Sequence, residues 1–159
     1  KRGASILGTV AGYGFSSDGG NISVPSDTGL AAAMMNAMKQ ARVNASDIDY
    51  ICAHATSTLA GDGAEARNIH SVFGENCPRV SSLKGLTGHE FWMAGASQVA
   101  YTILMRKLGI TVANANFNGP DEFSAKLNIL TDNDVNPPTT ALCNSAGFGG
   151  TNSALVISF

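Results

Sequence analysis

Short apolar runs alternate with longer segments of helical period along this chain, and that alternation restricts its fold more than any other feature. "DIDYICAHA" (47–55) is too short for a helix and almost wholly apolar after its start, so it reads as a buried strand ending at His54. Residues 4–15, "RVSSL" (79–83), "ITVANANF" (110–117), "LNIL" (127–130), "TTALCNSA" (139–146) and "NSALVISF" (152–159) read as further strands. Between the early ones, Leu30, Met34, Ala37, Met38 and Ala41 fall on one helical stripe, and the methionines are expected in a core. A second helix is expected over 62–74, with Asp62 and Glu65 in its first turn favouring the dipole and Gly74 as its stop. A third is expected over about 90–108, ended by Gly109. Ser26 or Asp27, closing the polar loop 16–27, is expected to cap the first helix. Strand and helix in turn, then strands, predict an α/β fold with helices packed on a mixed, mostly buried sheet.

The 159 residues suit one domain, and no repeat or linker divides them. A formal net charge of -2 argues against a nucleic-acid surface. Charged residues are only 14% and hydrophobic ones 44%, so the chain is expected to bury much of its surface against a partner. Cys52, Cys77 and Cys143 are odd in number and lack CxxC spacing, which predicts neither a disulfide framework nor a zinc ribbon. Cys52, His54, His70 and His89 have no zinc-ligand spacing, so no metal is expected. No apolar run reaches membrane length, no signal peptide is expected, and a reducing cytosol is the expected compartment. Residue 1 is Lys and strand-like sequence follows closely, which predicts a chain that begins in mid-protein.

Three polar clusters sit at strand ends, where α/β proteins build their sites. They are His54 with Thr56 and Thr58, Lys84 with His89 across "KGLTGH", and "NSAGFGGTN" (144–152). A neutral imidazole can donate an N–H to a developing oxyanion, and a nearby lysine adds positive potential. Two such rings facing one small volume suit an enolate or tetrahedral oxyanion, with threonine hydroxyls for an amide-bearing arm. Taken singly, each cluster also fits a structural histidine or an ordinary glycine-rich turn, and "GFGGT" lacks the GxGxxG spacing of a nucleotide loop.

Together and in this order, "AHATSTLAGDGAEA", "SSLKGLTGH" and "NSAGFGGTN" resemble the histidine loop, lysine–histidine loop and C-terminal hairpin of the β-ketoacyl-ACP synthases. The resemblance covers nearly the whole chain and implies the C-terminal half of the layered αβαβα thiolase fold. It implies an acyltransferase that carries out decarboxylative Claisen condensation of an acyl thioester with malonyl-ACP, in fatty-acid, polyene or polyketide synthesis. By the resemblance, His54 and His89 would bind the malonyl thioester carbonyl and Lys84 would hold the site's electrostatics. Thr56 and Thr58 would bind pantetheine amides. Phe148 would gate the pocket, with Gly149 in the backbone beside it contributing to substrate binding. No dissociable cofactor is implied, because the substrates ride on the phosphopantetheine of acyl carrier protein. The nucleophilic cysteine would come from an N-terminal half that residues 1–159 do not contain, and the whole would form homo- or heterodimers. The alternative is a non-catalytic partner subunit of the chain-length-factor type, which typically lacks these histidines.

The sequence departs from the family pattern at four places. Ala55 replaces a glycine and is expected to need a glycine-like backbone. Gln98 replaces a glutamate, which would leave Lys84 without a buried partner. Trp92 replaces a glycine and Ala146 a phenylalanine, and the two are expected to compensate in volume within one pocket, so that Trp92→Gly would open a cavity.

Overall fold

The computed structural model describes residues 2–159; Lys1, on which the expectation of a start in mid-protein rests, lies outside them. Its centre is a six-stranded mixed sheet in the order β1-β6-β5-β2-β3-β4. The strands are β1 (Thr9–Ser17), β2 (Tyr50–Cys52), β3 (Arg79–Ser81), β4 (Asn128–Ile129), β5 (Thr140–Gly147) and β6 (Thr151–Ser158). β5, β2, β3 and β4 run parallel, while β6 is antiparallel to both β5 and β1. The helices are α1 (Gly29–Ala41), α2 (Leu59–Phe73), the single turn α3 (Lys84–Thr87) and α4 (Ala94–Leu108).

A core lies on each face of the sheet. α1 and α2 close one face, where Leu30, Met34, Ala37 and Met38 meet Ile51, Ile69, Leu142 and Val156. Full burial of each such large side chain contributes about 1.5–3 kcal/mol. Gly12 and Gly14 let α1 lie close to β1, since a Cβ at either would collide with the backbone at Ala37 or Ala33. α4 closes part of the other face, where Met105 and Leu83 pack on Tyr50, Cys52, Ala141, Cys143 and Ile157. The cap position of α1 falls on Thr28 rather than Ser26 or Asp27, and its side chain makes no capping bond; the Ser26 hydroxyl accepts the Gly29 N–H at 2.8 Å from two residues ahead of the cap, and Asp27 pairs with Arg67.

Two expected strands fall short. Residues 4–8 are not strand, because the register of β6 ends with Ser158 opposite Thr9 and offers nothing further to pair with; Ile6 and Leu7 stand exposed. "ITVANANF" keeps only a single bridge between Thr111 and Asp134. Its other backbone groups are taken by loop partners: Ala113 N–H donates to Asn133 Oδ1 and Asn114 N–H to Leu130 O. The third helix also starts late. A 3-10 turn, Phe91–Met93, precedes α4.

Candidate active site

Parallel strands carry their loops out at one end of the sheet, and β2, β3 and β5 bring the three sequence clusters there. His54 stands two residues beyond β2, Lys84 and His89 lie past β3, and Phe148 is at the tip of the β5–β6 hairpin. The rings of His54 and His89 meet edge to face with centroids 5.4 Å apart. The Phe91 N–H donates to His89 Nδ1 at 3.1 Å, which leaves Nε2 to carry the ring proton and act as the donor. Glu90 and Phe91 both hold left-handed backbone (φ 57° and 47°), an uncommon conformation for consecutive residues other than glycine and typical of constrained sites.

Burial, then the charge of Lys84, then His89, hold the His54 imidazole down at about 3. The ring is therefore neutral at physiological pH, and its Nδ1 is buried without a partner. Burial also lowers the Lys84 ammonium, against the attraction of Glu65, and Nζ has no hydrogen-bond partner. Gln98 does not bond to it. Its Nε2 donates instead to Ala53 O at 2.8 Å, so Lys84 Nζ has no hydrogen-bonded partner, although the buried Glu65 carboxylate still attracts it.

Glu65 is the functional residue the sequence reading missed. It is buried, and its carboxylate accepts the backbone N–H groups of His54 (2.9 Å) and Ala55 (2.7 Å) and the amide of Asn144 (3.2 Å). Burial pushes its carboxyl up, opposed by those donors. Its role is to fix the histidine loop to α2 and β5, rather than to complement the helix dipole. The signal was available: Glu65, Ile69 and Phe73 lie on one helical stripe, and a charge on an apolar stripe calls for partners.

The hydroxyls of Thr56 and Thr58 lie 3.1 Å apart in the loop after His54, and Thr58 caps α2 by accepting the Gly61 N–H. Ala55 does not take glycine-like backbone. The left-handed residue of this loop is Ser57 (φ 65°), whose N–H is held by Asp62. The expected exchange of volume between Trp92 and Ala146 is also overturned. Trp92 is fully exposed at 102%, and so fills no pocket. Strand alternation further separates the two: Ser145 faces Gly95 of α4, while Asn144 and hence Ala146 face the other side. Phe148 is exposed at the hairpin tip, where Gly149 and Gly150 have the positive φ such a turn needs. Cys52 and Cys143 are buried in neighbouring strands, and contact with Cys143, followed by burial, pushes the Cys52 thiol well up. Burial likewise raises Cys77. The Cys143 thiol is held lower by its hydrogen bond with Cys52, but it is buried in β5 beneath α4, where no substrate reaches it.

An α/β domain with two imidazoles and a buried lysine converging beyond its parallel strands has the layout of a centre for stabilising negative charge on oxygen. The family described as "Beta-ketoacyl synthase, C-terminal domain" matches residues 7–118, and the chain belongs to that family. It is 40% identical over 156 residues to 3-oxoacyl-[acyl-carrier-protein] synthase 1 of Escherichia coli K12, a match that covers 98% of this chain and 38% of that protein. Among solved structures, a beta-ketoacyl synthase from Burkholderia phymatum STM815 superposes with TM-score 0.93 at 34% identity, over 99% of this chain and 38% of the other. The ishigamide ketosynthase/chain length factor superposes with TM-score 0.94 at 30% identity, over 99% and 39%. The chain thus spans well under half the length of these relatives. Among the described residues, no helix is long and apolar enough to cross a membrane.

Proposed function

We propose that this chain forms the C-terminal half of a 3-oxoacyl-ACP synthase and supplies its malonyl-decarboxylating site. The observation that carries this reading is the 5.4 Å approach of the His54 and His89 rings beside Lys84. An N-terminal half brings a cysteine whose thiolate takes up the acyl group. The malonyl-ACP thioester oxygen then sits between the two imidazole N–H donors. Its C–COO⁻ bond breaks, carbon dioxide leaves, and the electron pair is held as an enolate on that oxygen. The enolate carbon attacks the acyl thioester carbon and expels the cysteine thiolate, giving the lengthened 3-oxoacyl-ACP. Lys84 supplies the positive potential, Thr56 and Thr58 bind the pantetheine amides, and Phe148 and Gly149 close the pocket between cysteine and malonyl group. Acyl carrier protein is the partner that delivers substrate, the synthase is a dimer, and it works in a reducing, cytosol-like compartment where its thiols stay free. The partner-subunit alternative is disfavoured because both rings are retained and converge.

The test is carbon dioxide release from malonyl-ACP by the complete synthase. His89→Ala should lower it by about 100-fold or more, the usual cost of deleting one oxyanion donor. Unchanged release would remove the assignment.

A further inference from the structure

The two amide atoms of Gln98, buried in α4, are used unequally. Nε2 donates to Ala53 O at 2.8 Å, whereas Oε1 is buried with no partner. Ala53 immediately precedes His54, and α4 follows His89 in the chain. This one bond therefore ties the segment carrying the first ring to the helix behind the second. Its direction decides which side chain can make it. A carbonyl only accepts, so an amide can hold it and a carboxylate cannot. Gln98 also shares a small pocket with Lys84 and His89, completed by Thr87, Glu90 and Tyr101. The carboxylates facing Lys84 are Glu65 and Asp62 from α2 and Glu90 from the turn ahead of α4, while the Cys52 thiol faces it from β2. His54 is faced by Lys84 and His89, and its backbone N–H by Glu65.

We propose that Gln98 is a positioning residue of this site: an uncharged strut that holds the Ala53–His54 backbone against α4, sets the spacing of the two rings, and places no counter-charge from that helix beside Lys84. The inference rests on the synthase reading and adds to it a residue that touches neither substrate nor reacting atoms. Because the strut is neutral, the field of Lys84 at His54 is not cancelled from α4 and adds to burial, the larger cause, in keeping the ring in the uncharged form that the site uses.

Two variants of the complete synthase test this. Gln98→Met removes the donor at nearly constant volume. It should lower kcat for malonyl decarboxylation about tenfold while KM stays within about twofold, because the binding groups remain and only their alignment is lost. Gln98→Glu sets a carboxylate beside Lys84, and the acid limb of kcat should move up by about one pH unit as His54 protonates more easily. A crystal structure of Gln98→Met should show the rings further apart than 5.4 Å. Wild-type kcat in Gln98→Met, an unmoved acid limb in Gln98→Glu, or rings at their original spacing overturns the proposal. Should Gln98→Met fail to fold, Gln98→Glu carries the test. Should the wild-type synthase release no carbon dioxide, the synthase reading itself fails, and the ring spacing in the crystal still decides the strut.

Discussion

The two ends of the parallel strands are built on opposite terms. At the N-terminal end, Arg79 donates to Asp49 O, Asp134 Oδ2, Asn136 O and the Thr111 hydroxyl, and Asp49 in turn accepts from the backbone of Thr139 and Thr140. Arg79, Asp49 and Asp134 are thus all partnered, although His70 Nδ1, in the last turn of α2, is buried without a partner. At the C-terminal end, His54 Nδ1, Lys84 Nζ, Gln98 Oε1 and Asn144 Oδ1 are all buried without one, and two successive residues hold left-handed backbone. Unsatisfied polar atoms and strained backbone cost stability and persist where a fold serves chemistry. One end of the sheet holds the protein together, and the other uses part of that stability to keep polar groups ready for substrate.

Arg79→Met is the sharpest way to break this comparison. It strips the charged partner from Asp134 and the side-chain donor from Asp49 O, while Asn136 O keeps the Thr111 hydroxyl and Asp134 keeps the amide groups of Asn136. The melting temperature of the chain should fall by about 5–10 °C. Decarboxylation by the surviving folded synthase should not change, because the network lies at the far end of the sheet. A loss of activity larger than the loss of folded protein would mean that the two ends are coupled.

Lys84→Met should act with the opposite sign. It replaces a buried ammonium that has no hydrogen-bond partner with an apolar chain of similar length, so Tm should rise by about 2–4 °C while decarboxylation falls. Calorimetry of the variant decides it. A fall in Tm would show that the attraction of Glu65 outweighs the burial of Lys84, and that this end also is built for stability.

Acid should separate the two ends by pH. The His54 ring titrates at about 3 in the fold against 6.5 when free. Between those values the unfolded chain binds a proton that the folded chain does not, so stability is whole above 6.5 and drains as pH falls toward 3. Asp134 is the reverse kind of group. Hydrogen bonds from Asn136, then Arg79, hold its carboxyl below 3.8, so its contribution is lost only at still lower pH. Melting curves at pH 7 and pH 4.5 should therefore converge by several degrees in His54→Asn and keep their separation in Asp134→Asn.

How much of this was legible in the sequence follows the same division. The three clusters and their convergence could be read because strand ends and loop residues lie close together along the chain. The apolar stripe of α1 was equally plain, and Leu30, Met34, Ala37 and Met38 are all buried. Glu65 was misread because its partners, the N–H groups of His54 and Ala55 and the amide of Asn144, come from two other elements and are invisible to helical period alone. "ITVANANF" has the composition of a strand, but strand status needs a neighbour with free backbone groups. Its own backbone is held instead by Asn133 and Leu130. The hydrogen-bond direction at Gln98 likewise depends on a carbonyl 45 residues away in sequence.

Trp92 marks the smallest expected effect. As a replacement for glycine it invited an account in which its ring fills space left at Ala146, with a cavity and a few kcal/mol at stake on removal. The ring is instead wholly exposed, between Phe91 and Met93, which are themselves 77% and 58% exposed. An exposed side chain that touches no core loses little on truncation, so Trp92→Ala should change the stability of the chain by no more than about 0.5 kcal/mol in urea denaturation. A loss of about 2 kcal/mol or more would show a packed ring, and with it a hidden contact at the end of the sheet where the strain is concentrated. A neutral result in the chain joined to a measurable loss in the complete synthase would instead place the partner of Trp92 outside these residues, consistent with the low charge content that already pointed to a buried face.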